Sequence, residues 1–150
     1  MAFKRVIIRR VGPLFWLLGT NETMRYVAET FLASTLLRGK AIAQFMGGGA
    51  GAGERTIRWI ELLPTRDSLE VWLFESDDIG DEEFCDIGEF GGDDDEAPIA
   101  NFNSPEEALE FAYTKLGASR NRWVNESMVG DEYRDYVVAG RPAKWPPVGA

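Results

Sequence analysis

The residues of this chain best suited to chemistry are carboxylates. Positions 67–96 read DSLEVWLFESDDIGDEEFCDIGEFGGDDDE, with fourteen Asp or Glu and no Lys or Arg. Carboxylates at this density can ligate cations, work in pairs as acid and base, or present a negative field to a positive partner. The first use is poorly matched. Neither the run at Asp77 nor the run at Asp93 has acids at alternating positions before a Gly and a distal Glu, as a calcium loop requires. The second lacks a marker, because acids in this abundance single out no pair and nothing else in the sequence indicates a sugar site. The third needs only exposure and a rigid support.

Other catalytic groups are scarce. There is no histidine, which removes the commonest general base, the usual nucleophile triads and most zinc sites. The single cysteine, Cys85, lies between Glu83 and Asp86, and negative neighbours raise a thiol pKa and blunt its nucleophilicity. The glycine-rich run at 47–53 lacks the Lys-Ser/Thr of a phosphate-binding loop and the spacing of a dinucleotide fingerprint. It reads as a flexible, dispensable hairpin connection. The tryptophans at 16, 59, 72, 123 and 145 are dispersed and read as core. Neither catalysis nor a cofactor is expected.

The supporting framework is one domain of 150 residues, 45% hydrophobic and able to form a core without metal or disulfide. Net charge is −9, but the halves differ in sign. Residues 1–66 hold ten basic and four acidic residues, and the remainder holds six basic and twenty-one acidic. Direct nucleic-acid binding is disfavoured, since phosphate neutralisation needs a dominant basic surface. The longest apolar run, 14–18, is too short to span a membrane, and the N-terminus lacks a signal-peptide pattern. A cytoplasmic setting is expected, with no membrane partner.

Elements follow from periodicity and punctuation. Strands are predicted at 4–11, 41–46, 55–63, 69–75 and 83–90, the last two joined into an acidic hairpin by the turn at 77–81, so that 41–90 forms a four-stranded meander. A helix capped by Thr20 or Asn21 is predicted over 22–38, with Met24, Val27, Ala28, Phe31, Leu32 and Leu36 on its inner stripe and Gly39 as its stop. Ser104, Pro105 and Glu107 form a capping box opening a helix over 105–116. A third, short helix is predicted at 131–139, capped by Asp131, with Tyr133, Tyr136 and Val137 inward. The proline-rich tail, 139–150, cannot continue it. The fold class is therefore α+β: an antiparallel sheet of four or five strands with the two main helices packed on one face.

The segments SLEVWLFESDDIGDEEFCDIGEF, SPEEALEFAYTKLGAS and VNESMVGDEYRDYV together resemble immunity proteins of bacterial polymorphic toxin systems, in particular those paired with contact-dependent growth inhibition toxins. The resemblance covers residues 67–138. It implies a cytoplasmic protein that binds and blocks a cognate toxin domain, commonly a nuclease with a basic cleft, and it carries no catalytic residues. The partner-binding face is expected to centre on Asp77, Asp78, Asp81, Glu82, Glu83 and Asp86 at the hairpin tip, with Glu70 and Glu89 alongside and Trp72 or Phe84 as an aromatic anchor. An acidic nucleic-acid mimic and a carboxylate-based hydrolase are the alternative readings.

Overall fold

A computed structural model describes residues 25–49, 55–90 and 97–147. Helix α1 (Glu29–Leu37) leads into three long strands, β1 (Ile42–Gly48), β2 (Thr56–Pro64) and β3 (Leu69–Asp77). After a loop with one 3-10 turn (Ile87–Glu89) come β4 (Ala100–Phe102), helix α2 (Pro105–Lys115), the two-residue β5 (Val124–Asn125) and helix α3 (Val129–Val138). The strands form one sheet in the order β4-β3-β2-β1-β5, antiparallel at every pairing. This is the α+β fold that the run of strands between amphipathic helices predicts.

Alternation along the strands gives the sheet two apolar faces. Ile42, Ile60, Leu62, Leu69 and Val71 meet Leu32 and Leu36 of α1, Ala108, Leu109 and Ala112 of α2, and Trp123. Phe45, Ile57 and Trp59 meet Tyr133 and Tyr136 of α3, together with Ile87 and Phe90. The two main helices thus share one face, and α3 covers part of the other. Trp59 and Ile60, adjacent in sequence, serve opposite cores.

Two helix ends follow their sequence signals closely. Gly39 takes φ +82, and the amides of Gly39 and Lys40 return to the carbonyls of Leu36 and Thr35. That is the reciprocal pair of a Schellman stop, which an L side chain at Gly39 would strain. The hydroxyl of Ser104 accepts from the Glu107 amide at 3.2 Å and donates to its carboxylate at 3.1 Å. The Glu107 side chain therefore closes the cap on the serine hydroxyl instead of on the serine amide.

Four expectations require correction. Residues 83–90 are not a strand. Pairing them with β3 through a tight turn would have opposed one like-charge pair in either available register, Glu83 with Glu75 or Glu89 with Glu70, and directly opposed like charges destabilise a sheet. The neutral Ala100–Phe102 pairs there instead, with Asn101 opposite Glu70. Helix α1 begins at Glu29, behind an Ala28 N-cap that makes no side-chain hydrogen bond. Tyr26 is drawn into a bridge with Val124, and the Val27 amide donates to the Trp123 carbonyl at 2.8 Å, so the chain is extended where the stripe had suggested helix. Phe31 consequently lies 61% exposed. Helix α3 starts two residues early, leaving Asp131 in its first turn and not at its cap, although Tyr133, Tyr136 and Val137 do turn inward.

The fourth correction concerns the glycine run. Gly47 and Gly48 belong to β1, and a bulge at Met46 shifts the register between Phe45 and Gly47. Gly47 has φ +86, and a Cβ there would lie 2.6 Å from the Trp145 Cβ. The glycine is required by packing and backbone together, which excludes a simple flexible connection at this position. The strand at 4–11, the apolar run at 14–18, the caps Thr20 and Asn21, and the acidic run at 93–96 lie outside the described residues, as do positions 50–54.

Candidate protein-binding surface

The acidic segment after β3 is a loop anchored from beneath. Its first carboxylate, Asp78, is buried, with only 1% of its side chain exposed. Arg141 Nε donates to Asp78 Oδ2 at 2.8 Å, and Tyr133 Oη donates to Asp78 Oδ1 at 2.5 Å. The Asp78 amide donates to the Arg55 carbonyl at 3.0 Å. Asp78 was expected to project from a hairpin tip. It instead serves as an internal counter-ion, because burying a carboxylate is tolerable only with a cation and hydrogen-bond donors at hand. Burial and the bond to Asp78 push the Tyr133 phenol up to about 12.

The next turn is closed by the chain itself. Asp81 Oδ1 accepts from the amides of Glu83 and Phe84, each at 2.8 Å, and the Asp81 amide donates to the Phe84 carbonyl at 3.0 Å. Hydrogen bonds from the Phe84 and Glu83 amides hold the Asp81 carboxyl below the usual carboxylate range. Gly80 lies against Tyr133 and Phe90, where a Cβ would come within 2.3 Å of the Phe90 ring. Its amide donates to Tyr133 Oη at 3.1 Å. Arg134 Nε donates to the Glu82 carbonyl at 3.2 Å. Ile87 and Phe90 then sink into the α3-side core. Their three-residue spacing suits a 3-10 turn and not a strand.

This scaffold leaves Asp77, Asp81, Glu82, Glu83 and Glu89 exposed, with Asp86 half-buried. Glu70 is set apart on β3, half-buried, and accepts from Trp72 Nε1 at 3.0 Å. Phe84 is 44% exposed, its ring 5.0 Å from that of Phe90, and Ile79 is 58% exposed. Trp72 stacks on Phe74 with ring centroids 5.6 Å apart and belongs to neither core cluster. The structure thus leaves five carboxylates of this segment exposed, places Glu70 at the other end of β3 from Asp77, and withdraws Asp78. Cys85 lies under the loop, its thiol pushed up by burial and by Asp131. Among the described residues no three of His, Cys, Asp and Glu are grouped to hold a metal ion.

Sequence reasoning missed two polar centres. One is the Asp78–Arg141–Tyr133 set, whose members lie up to 63 residues apart. The other lies on α3, where Glu132, 1% exposed, receives Arg25 Nη1 at 2.8 Å, Arg122 Nη2 at 3.0 Å and Tyr26 Oη at 2.6 Å. Arg25 also pairs with Asp135. Neither set has a spacing signature, because each is assembled by packing.

A third feature is Glu61 on β2, between Ala43 and Trp72 in the sheet. Burial, with a smaller contribution from Glu126, raises its carboxyl to about 7. The folded protein therefore holds a proton that the unfolded chain releases from about 4.5 upward. Stability falls as pH rises through that window, and the penalty is complete above about 7. Glu61→Gln should raise the unfolding free energy at pH 8 by about 1–3 kcal/mol and leave it nearly unchanged at pH 4. Urea titrations at the two pH values measure this, and an equal gain at both would show that charge is not the cause.

Comparison of the chain with family models, with curated proteins and with solved structures gives no match.

Proposed function

We propose that the chain is an immunity protein that binds and neutralises a cognate bacterial toxin domain, a basic nuclease delivered by contact-dependent growth inhibition. The observation that carries this reading is the pairing of exposed Asp77, Asp81, Glu82, Glu83 and Glu89 with a loop backbone tied to Tyr133, Arg134 and Arg141. Exposed carboxylates held close together repel one another, and an opposing positive surface relieves that repulsion. A nuclease cleft is such a surface, because it must attract phosphate. Loop carboxylates can occupy its Arg and Lys side chains in charge-assisted hydrogen bonds and so exclude nucleic acid. Because the loop is already ordered, little conformational entropy is lost on binding.

Phe84 and Ile79 add exposed apolar surface among the carboxylates, and aromatic side chains are frequent anchors of interfaces. On this reading the protein acts in the cytoplasm, where an incoming toxin domain would meet it. Among the described residues no helix is long and apolar enough to cross a membrane.

The test is co-purification with the toxin domain encoded by the adjacent reading frame, followed by a nucleic-acid cleavage assay with and without this chain. Stoichiometric capture together with loss of cleavage supports the proposal. Capture of a DNA-binding protein without nuclease activity would favour the mimic reading. Failure to bind the adjacent product, or binding that leaves cleavage intact, overturns the proposal.

A further inference from the structure

We infer that the tail, residues 140–147, is a latch that sets the conformation of the acidic loop, with Arg141 as the positioning residue. The tail leaves α3 through two consecutive left-handed residues, Gly140 at φ +89 and Arg141 at φ +54. Glycine takes that conformation freely, whereas an arginine is strained by its Cβ against the following carbonyl oxygen. The turn is secured by the Arg141 amide, which donates to the Tyr136 carbonyl at 2.9 Å. It aims the side chain back beneath the loop.

There the guanidinium is received on several sides. Nε donates to Asp78 Oδ2 at 2.8 Å, and Nη2 reaches the Gly80 carbonyl at 2.9 Å, Asp78 Oδ1 at 3.3 Å and Tyr133 Oη at 3.5 Å. Asp78 and Gly80 flank Ile79 and directly precede the Asp81 turn, so one side chain fixes the entry to the carboxylate-bearing tip. Arg55 offers Asp78 only a distant alternative, at 3.9 Å and with 65% of its side chain exposed. Lysine could replace the charge of Arg141 but not its planar fork, which bonds the carboxylate and the carbonyl at once.

The rest of the tail keeps Arg141 in place. Trp145 packs edge-on against Phe45 and Tyr136, with ring centroids 6.1 and 5.6 Å away, and lies over Gly47. Tail docking and loop order are therefore one structural event. Releasing the tail leaves Asp78 buried without its close cation, which drives the loop entry open.

Hydrogen exchange of the free, full chain tests this. In Arg141→Gln the amides of Gly80, Asp81 and Phe84 should exchange at least about tenfold faster, while β2 and β3 amides keep wild-type protection. Arg141→Lys should be intermediate, and it supplies the readout if the glutamine variant fails to fold. Loop amides that keep wild-type protection in the folded variants, or that accelerate only in step with the β2–β3 amides, overturn the latch. Its consequence for binding rests on the proposed toxin-binding role. A loosened loop with unchanged association to the toxin domain supports the latch and refutes that role for this surface.

Discussion

Changing Asp77, Glu82 and Glu83 together to Lys should slow association with a basic toxin domain by at least about tenfold, since electrostatic steering contributes between 10 and 10³ to such rates. The three residues are exposed, and none of their side chains supports the loop. Asp78 and Asp81 belong to the same charge run but make poor probes. Reversing Asp78 would place a second cation beside Arg141 in a buried site, and reversing Asp81 would remove the acceptor that closes the turn at Glu83 and Phe84. In the triple variant the effect should fall on the association rate and fade as salt is added, because the screening length is about 8 Å at physiological ionic strength. Folding should be unchanged or slightly improved, since like charges are being thinned. Stopped-flow mixing at two ionic strengths, with thermal unfolding as control, gives the answer. An association rate equal to wild type at low salt, with the fold intact, would count against this loop as the proposed binding surface.

The corrected choice of residues shows what could be read from sequence and what could not. Strands β2 and β3 announced themselves by alternation and β-branched content, and α2 by Ser104 and Pro105, because local backbone preference and core burial agree there. β4 gave no signal. Three residues, Ala100–Phe102, are too few to show a period, and they pair with β3 because the better-looking strand candidate would have opposed like charges. That Asp77, Asp81, Glu82, Glu83 and Glu89 belong to one acidic segment was legible from charge density alone. Asp78 was not separable from Asp77 beside it, since the difference between them is a partner 63 residues away. The single residue step from the end of β3 into the loop turns one carboxylate to solvent and the next to Arg141. The glycine run failed as a guide for a similar reason, because composition cannot show that Trp145 rests on Gly47.

The largest effect on stability is expected at Glu132, on the same helix that supports the acidic loop. Its carboxylate is 1% exposed and lies between Arg25 and Arg122, with Tyr26 as a third donor. Burial and the bond to Glu132 push the Tyr26 phenol up to about 12, so the hydroxyl remains a donor throughout the working pH range. Glu132→Ala would leave two guanidinium groups, only 20% and 16% exposed, without their shared buried partner. Asp135, with 40% of its side chain exposed, compensates only for Arg25. Removing one member of a buried ion pair typically costs about 3–5 kcal/mol, because the remaining charge stays desolvated. Against a total stability of about 5–15 kcal/mol for a domain, that loss brings unfolding near to working temperature. Loosening should begin where the network holds the chain, at the Tyr26–Val124 bridge and the Val27–Trp123 hydrogen bond on the β5 side of the sheet. Glu132→Gln keeps the shape and two acceptor lone pairs, so it should lose less than the alanine variant. Denaturant unfolding of the two variants measures both losses. A cost below about 1 kcal/mol for Glu132→Ala would mean that both arginines regain water when the carboxylate is removed, and that the network adds little net stability.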